Sequence, residues 1–347
     1  MEGRETLRRE ESRELMERLL TDPPSDAEIA ALLGALAARG ETPEEIAGFV
    51  EAMRATATTL PLSERERDEL VDTCGTGGDA SGSFNISTAA ALVSAAAGAK
   101  VAKHGNRAVT SRCGSADVLE ALGVLLDLTP QEAADSLRRF GFAFLHAPAL
   151  HPAMRVVMPV RRALGVRTVF NLFGPLSNPA GASRQVMGVY GPRQVDLVAR
   201  TMALLGTTHA LVVHGEIGRD FRFEGMEAGM DEISISGRSL LAEVRGGEVR
   251  TREMEPEDVG LKRAAVDLLR GDDPVTNAAI LRAIFAGEQG ARRDVVVVNA
   301  AAVLVTAELA ADIAAGVGLA EAAIDSGAVR GLVAELAGQR VRMQVSR

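Results

Sequence analysis

The stretch Asp72-Thr73-Cys74-Gly75-Thr76-Gly77-Gly78-Asp79 leads through residues 80–84 into Asn85-Ile86-Ser87-Thr88 and then the apolar run Ala89 to Ala97. Few folds accommodate that order. A short β-prone segment, a loop whose glycines reach backbone conformations closed to other residues, and a capped helix make the opening unit of an α/β domain. The loop also has a chemistry. Glycines let backbone N–H groups approach an anion without Cβ interference, and the helix N-terminus that follows adds donors and the positive end of its dipole. A phosphate fits such a place. The stretch is not a Walker loop, because no Gly-Lys-Ser/Thr follows at the required spacing, and it does not match the dinucleotide fingerprint GxGxxG. Asp79 is the odd element, since a carboxylate in a phosphate cradle repels the anion unless it binds a ligand's hydroxyls or a metal's waters. The competing explanation is a tight turn in which Asn85 or Ser87 serves only as helix cap.

The chain ahead of this unit reads as helices. Leu15, Leu19 and Leu20 recur at helical spacing, as do Ile29, Leu32, Leu33 and Leu36 after a Ser25–Glu28 capping box, and Thr42-Pro43-Glu44-Glu45 opens a third helix. From Leu70 onward short β-prone runs alternate with helical stretches. Strands are expected at Leu70 to Cys74, Val101 to Lys103, Gln185 to Tyr190, Ala210 to His214 and Asp231 to Ser236, and Thr129-Pro130-Gln131-Glu132 opens one of the helices between them. Pro152 to Leu176 is again helical, broken by Pro159 and Pro175. The expected fold class is therefore α/β: a small all-helical domain plus a larger α/β domain with a central, mostly parallel sheet flanked by helices. At 347 residues the chain is too long for one core. Residues 1–69 and 152–177 are expected to form the helical domain, and residues 70–151 and 178–347 the α/β domain.

Composition narrows the partners. With no Trp and one Tyr the core must be aliphatic, and a net charge of -9 without a long basic block argues against nucleic acid and against an anionic membrane surface. The longest apolar stretches, Ala89 to Ala99 and Val295 to Ala307, fall short of the roughly 18 to 20 residues that a membrane span needs. Residues 1–20 carry charges of both signs and lack a signal peptide's apolar segment, so a cytoplasmic location is expected. Cys74 and Cys113 are too few for a disulfide framework or a zinc site, and reduced thiols are the default.

A second cluster follows the next strand: Lys103-His104-Gly105-Asn106-Arg107, then Thr110-Ser111-Arg112-Cys113-Gly114-Ser115-Ala116-Asp117. Lys100, Lys103 and Lys262 are the only lysines in an arginine-rich chain, so an ammonium at position 103 points to a wanted point charge. Gly105, Gly114 and the hydroxyls of Thr110, Ser111 and Ser115 repeat the cradle chemistry, with Ser115 placed to cap the helix that begins near Ala116. Two loops could grip one doubly phosphorylated ligand. A solvated basic turn is the plainer reading.

Taken together the motifs resemble the anthranilate phosphoribosyltransferase family nearly end to end. They are GTGGD at Gly75 to Asp79, NIST at Asn85 to Thr88, KHGNRA at Lys103 to Ala108, GSADVLEALG at Gly114 to Gly123, HPAM at His151 to Met154, the stretch from Val166 through Asn171 to Asn178-Pro179, MGVY at Met187 to Tyr190 and DEIS at Asp231 to Ser234. The resemblance implies a fold related to the pyrimidine nucleoside phosphorylases, a homodimer formed through the helical domains, and magnesium-dependent transfer of a phosphoribosyl group to anthranilate. It assigns Gly75, Gly78, Asp79, Ser83, Asn85, Ile86, Ser87, Thr88, Lys103, Asn106, Arg107, Ala108, Val109, Thr110, Ser111 and Ser115 to phosphoribosyl pyrophosphate. It places anthranilate against Gly75, His104, Asn106, His151, Arg161, Gly174 and Pro175. Two Mg2+ ions per monomer are implied, with Ser87, Asp231 and Glu232 as protein ligands, consistent with hard oxygen donors for a hard cation. No covalent nucleophile or acid/base residue is implied. Neighbouring acids on a strand point to opposite faces, so Asp231 and Glu232 can serve one site only if the strand ends or bends there.

Two features depart from the family pattern. Residues 216–229 intervene between His214-Gly215 and Met230 as an extended loop, and His146 stands where a phenylalanine-like residue usually precedes Ala147-Pro148. Two alternatives share the fold: a transferase or phosphorylase for another acceptor, and a non-catalytic nucleic-acid-binding relative. Asn106, His151 and Arg161 occurring together speak against the first, and the acid pair with the negative net charge against the second.

Overall fold

The computed structural model describes residues 5–345 apart from 80, 109–111, 166 and 219–228, with side chains described up to residue 339. Three helices come first: α1 (Arg9–Thr21), α2 (Asp26–Arg39) and α3 (Pro43–Ala55). The capping boxes at Ser25–Glu28 and Thr42–Glu45 form as read from the sequence. A short α4 (Glu64–Asp68) leads to β1 (Leu70–Gly75), then α5 (Ile86–Ala96), β2 (Lys100–Gly105), α6 (Ser115–Ala121), α7 (Pro130–Phe140) and β3 (Phe142–His146). After α8 (Ala147–Leu150), α9 (Met158–Leu164) and α10 (Phe170–Leu176), the chain enters β4 (Arg184–Gly188), α11 (Arg193–Leu204) and β5 (His209–Glu216). Next come β6 (Gly229–Met230), β7 (Ser239–Arg245) and β8 (Glu248–Met254), and then α12 (Pro274–Phe285), α13 (Ala291–Thr306), α14 (Ile313–Asp325) and α15 (Ala328–Val345).

The sheet runs β3-β2-β1-β4-β5-β7-β8, with β6 paired to β5. β3 through β5 are mutually parallel, whereas β6, β7 and β8 join antiparallel. Side chains alternate between faces, as the period of a strand requires. On β5, Leu211 and Val213 enter a core built on α5, α12, α13 and α14, while Ala210 and Val212 enter a second core shared with α1, α2, α3, α9, α10 and α11. The two apolar runs noted above become α5 and α13, buried core helices packed against each other, and among the described residues no helix is long and apolar enough to cross a membrane.

Three expectations need correction. Asp231 to Ser236 is not a strand: pairing stops at Met230, and the next amides go to side chains, Asp231 N–H to Asp79 Oδ2, Ile233 N–H to Asn299 Oδ1 and Ser234 N–H to Ser239 Oγ. β-propensity lost to side-chain acceptors offered by distant elements. Strands β3, β6, β7 and β8 were not anticipated. The cap of α6 is Gly114 rather than Ser115, because the Asp117 carboxylate reaches back to accept from the Gly114 and Ala108 amides at 2.9 Å each.

Candidate active site

The parallel strand order reverses between β1 and β4, so the connections leaving their carboxyl ends diverge and open a crevice, the usual ligand position in such sheets. Gly75 and Gly188 face each other in register at that edge. Their lack of a side chain has a specific cause. A Cβ at Gly75 would lie 2.2 Å from Asp231 Oδ2, one at Gly188 1.5 Å from the Asp231 carbonyl oxygen, and one at Gly215 2.6 Å from the Glu232 carbonyl oxygen. Glycines at the ends of three adjacent strands thus form a step on which the acid pair rests. Because the strand ends at Met230, both acids turn into the crevice.

Gly77 and Gly78 take left-handed φ angles of +68° and +70°, closing the loop onto this pair. The Gly77 amide donates to Asp231 Oδ2 at 2.7 Å, and Asp79 accepts from the amides of Asp231 (3.3 Å) and Ser81 (3.1 Å). At the N-terminus of α5 the Ser87 amide donates to Glu232 Oε1 at 2.9 Å. Lys103, fully buried, donates from Nζ to the Thr73 carbonyl at 2.6 Å and to Ser87 Oγ at 3.3 Å. Desolvation, reinforced by Asp79 and by Glu232, holds the Asp231 carboxyl well above the usual range. Desolvation likewise lifts Glu232 to about 8, against the opposing pull of Lys103 and the Ser87 amide, while burial pushes Lys103 down. Three acids face one ammonium. Among the described residues no three acidic, imidazole or thiol side chains converge closely enough to hold a metal alone. The donor set fits a hard cation that keeps waters and takes further oxygens from a phosphate.

The rest of the cradle comes from both loops. Ser83 accepts from Ser81 Oγ at 3.1 Å, and the Asn85 side chain is not a cap but spans Cys113 O (3.2 Å) and Asn277 (2.9 Å), fastening the loop to α12. Ile86 and Thr88 are buried at the start of α5 and present backbone rather than side chains. On the second loop Asn106 O accepts from Ser115 Oγ and the Ala116 amide, both at 3.2 Å. The Arg107 guanidinium is engaged by Asp117 (3.0 Å) and Glu120 (2.8 Å), so what the Asn106 to Ala108 segment presents is chiefly main chain. Val109, Thr110 and Ser111 lie outside the described residues.

Beside the cradle, the His104 and His151 rings meet at a tilt with centroids 5.1 Å apart, both buried and each with Nε2 unpartnered among the described residues. Desolvation and the His151 neighbour drop His104 to about 3, and burial lowers His151 as well, so both are neutral lining groups. Pro175 lies within the last turn of α10, and the carbonyls of the helix's last three residues are taken up by side chains from elsewhere. His104 Nδ1 meets Gly174 O (3.0 Å), Gln185 Nε2 meets Pro175 O (2.7 Å) and Arg54 Nε meets Leu176 O (3.0 Å). Arg161 lies 5.3 Å over the Phe170 ring with Met158 Sδ at 3.7 Å and has no carboxylate partner among the described residues; burial opposes its charge. It is available for an anionic ligand. His146 is half-buried, 3.7 Å from Asp127. Sequence reasoning missed Arg167, which stacks 4.4 Å over Tyr190 and donates to the Gly78 carbonyl, tying the acceptor side to the glycine loop. It stands inside the stretch from Val166 through Asn171, but nothing local announces a partner 89 residues away.

Two family profiles match the chain: the helical bundle domain of the glycosyl transferase family over residues 1–57, and the a/b domain of the same family over residues 67–330. The anthranilate phosphoribosyltransferase of Pelotomaculum thermopropionicum is 50% identical over 321 residues, 92% of this chain and 89% of that protein. The crystal structure of anthranilate phosphoribosyltransferase from Thermus thermophilus is similar at a TM-score of 0.87 and 43% identity, covering 97% of this chain and 96% of that one. The Saccharomyces cerevisiae anthranilate phosphoribosyltransferase in complex with phosphoribosyl pyrophosphate and Mg is similar at a TM-score of 0.82 and 25% identity, covering 96% and 94%.

Proposed function

The chain belongs to the anthranilate phosphoribosyltransferase family, and from that premise we propose how its own residues divide the work. Its activity is anthranilate phosphoribosyltransferase activity in tryptophan biosynthesis: the phosphoribosyl group of phosphoribosyl pyrophosphate passes to the anthranilate amine and pyrophosphate leaves. The observation that carries the residue assignment is the Asp231-Glu232 pair, set on the glycine step against Lys103 and the N-terminus of α5.

The glycine loop at Gly75, Gly78 and Asp79, with Ser83 and Asn85 to Thr88, holds the pyrophosphate and ribose. Lys103, residues 106–111 and Ser115 complete the grip. Ser87, Asp231 and Glu232 would hold magnesium, two ions per monomer, and when bound the metal supplies positive charge that stabilises the departing pyrophosphate. Arg161 pairs two-pronged with the anthranilate carboxylate. Asn106, His104, His151, Gly174 and Pro175 line the acceptor, and Gly75 lies where the two substrates meet. With both histidines neutral, no cation competes with Arg161 for the carboxylate, and the acceptor amine faces the anomeric carbon opposite the leaving group. Inversion follows. Alignment of this kind lowers a barrier by about 7 to 11 kcal/mol, so no covalent nucleophile or acid/base pair is required.

In this reading residues 1–69 and 152–177 make the helical domain, which pairs with a second copy. The thiols Cys74 and Cys113, not joined in a disulfide, accord with a cytoplasmic setting. The test follows the loss of anthranilate fluorescence with phosphoribosyl pyrophosphate, with and without Mg2+. Turnover only with metal is expected, and equal rates in its absence would remove magnesium from the scheme.

A further inference from the structure

At the opposite edge of the sheet, where β4 and β5 begin, lies a cavity of about 270 Å³. It is lined by residues including Arg54, Thr59, Arg67, Gly181, Ser183 and Thr207, and among the described residues by no Asp or Glu. β4 separates it from the active site by its five residues, roughly 15 Å of strand.

Arg54 donates from Nε to the Leu176 carbonyl, and its two terminal nitrogens have no protein acceptor among the described residues. Arg67 gives one N–H from each of its three nitrogens to a neutral carbonyl, those of Leu62 (3.2 Å), Ala180 (3.3 Å) and Leu60 (2.9 Å), which leaves one N–H on each terminal nitrogen. Neither guanidinium has a carboxylate within ion-pair distance among the described residues. Acids are not scarce in a chain of net charge -9, and Arg8, Arg13, Arg138, Arg238 and Arg263 each have one. Glu51, the acid whose field reaches Arg54, is itself bonded to Arg9. Burial opposes the charge on Arg54, which a counter-anion would relieve. The site is also built rather than incidental. Gly181 turns at a φ of +70°, and Arg67 Nη1 stands 2.8 Å from where its Cβ would be, so the turn wraps the guanidinium. The Thr59 and Thr207 hydroxyls make no hydrogen bond to protein among the described residues.

We propose that this cavity binds a small oxyanion of the phosphate class, held between the Arg54 and Arg67 guanidiniums with threonine hydroxyls at its rim. Paired planar forks suit phosphate oxygens better than a single ammonium does. Inorganic phosphate and the reaction's own pyrophosphate share this chemistry.

Calorimetric titration of each anion into the whole protein tests the site. Phosphate and pyrophosphate can also enter the active site, so the relevant signal is the component that survives saturation with phosphoribosyl pyrophosphate and Mg2+. Thr207→Asp keeps the backbone bond to Met202, breaks no side-chain hydrogen bond among the described residues and adds a carboxylate to the cavity wall, while Arg54→Met removes one guanidinium. Each is expected to weaken that component by on the order of tenfold or more. If Arg54→Met does not fold, Thr207→Asp still decides. Pyrophosphate binding tighter than phosphate assigns the site to the reaction product, and the reverse order to inorganic phosphate. Wild-type titrations of both anions superimposing on those of Thr207→Asp would overturn the proposal.

Discussion

At the residue scale, burial sets the charges. Asp72 sits in β1 beneath the glycine loop, accepting from the His104 amide at 3.1 Å, and desolvation lifts its carboxyl from 3.8 to about 6. Between those values the folded protein binds more protons than the unfolded chain, so stability falls as pH rises through that window and stays lower above it. The loss is about 3 kcal/mol at most. Asp72→Asn should flatten that decline, as denaturant melts at mildly acidic and neutral pH would show; an unchanged slope would clear Asp72. Catalytic roles separate kinetically. Asp79→Asn or Glu232→Gln should cut turnover sharply with the fold retained, and unchanged rates at saturating magnesium would remove them from the mechanism. Arg161→Ala should raise the anthranilate KM far more than that of phosphoribosyl pyrophosphate, and equal effects would defeat its assignment. Most of these residues were legible because their motifs are contiguous. Arg167 was not, because its partners Gly78 and Tyr190 are brought to it only by folding.

At the scale of elements, the glycine step decides where the acid pair stands. Gly188→Ala would drive a methyl group into the Asp231 carbonyl, and the 231–234 segment would have to lift. Overpacking of this kind costs about 1–3 kcal/mol, and here turnover should fall by much more than stability alone explains. A variant with normal rates would show that the step is not needed. Gln185→Leu is gentler: it leaves the Pro175 carbonyl without its 2.7 Å donor, at about 1–3 kcal/mol, and should loosen anthranilate more than phosphoribosyl pyrophosphate in steady-state kinetics. The sequence-based strand at Asp231 to Ser236 failed here for a physical reason. Its composition suits a strand, but side-chain acceptors on the glycine loop, α13 and β7 take its amides. Glycine content pointed to a phosphate cradle without revealing that Gly75 and Gly188 are small to admit Asp231.

At the scale of the whole molecule, the α/β alternation and the helical opening were readable from periodicity and caps. The strand order was not, because pairings such as β1 with β4 join segments over a hundred residues apart. Sedimentation should give about twice 36.4 kDa if the helical domains pair; a single-chain mass would refute the dimer. In the short pairing of β6 with β5, Gly215 pairs with Met230 and Glu216 with Gly229, and Arg238 clasps Glu216 at 2.9 Å. The acid pair follows Met230 directly, so that two-residue pairing moors Asp231 and Glu232 to β5 as well as to the glycine loop.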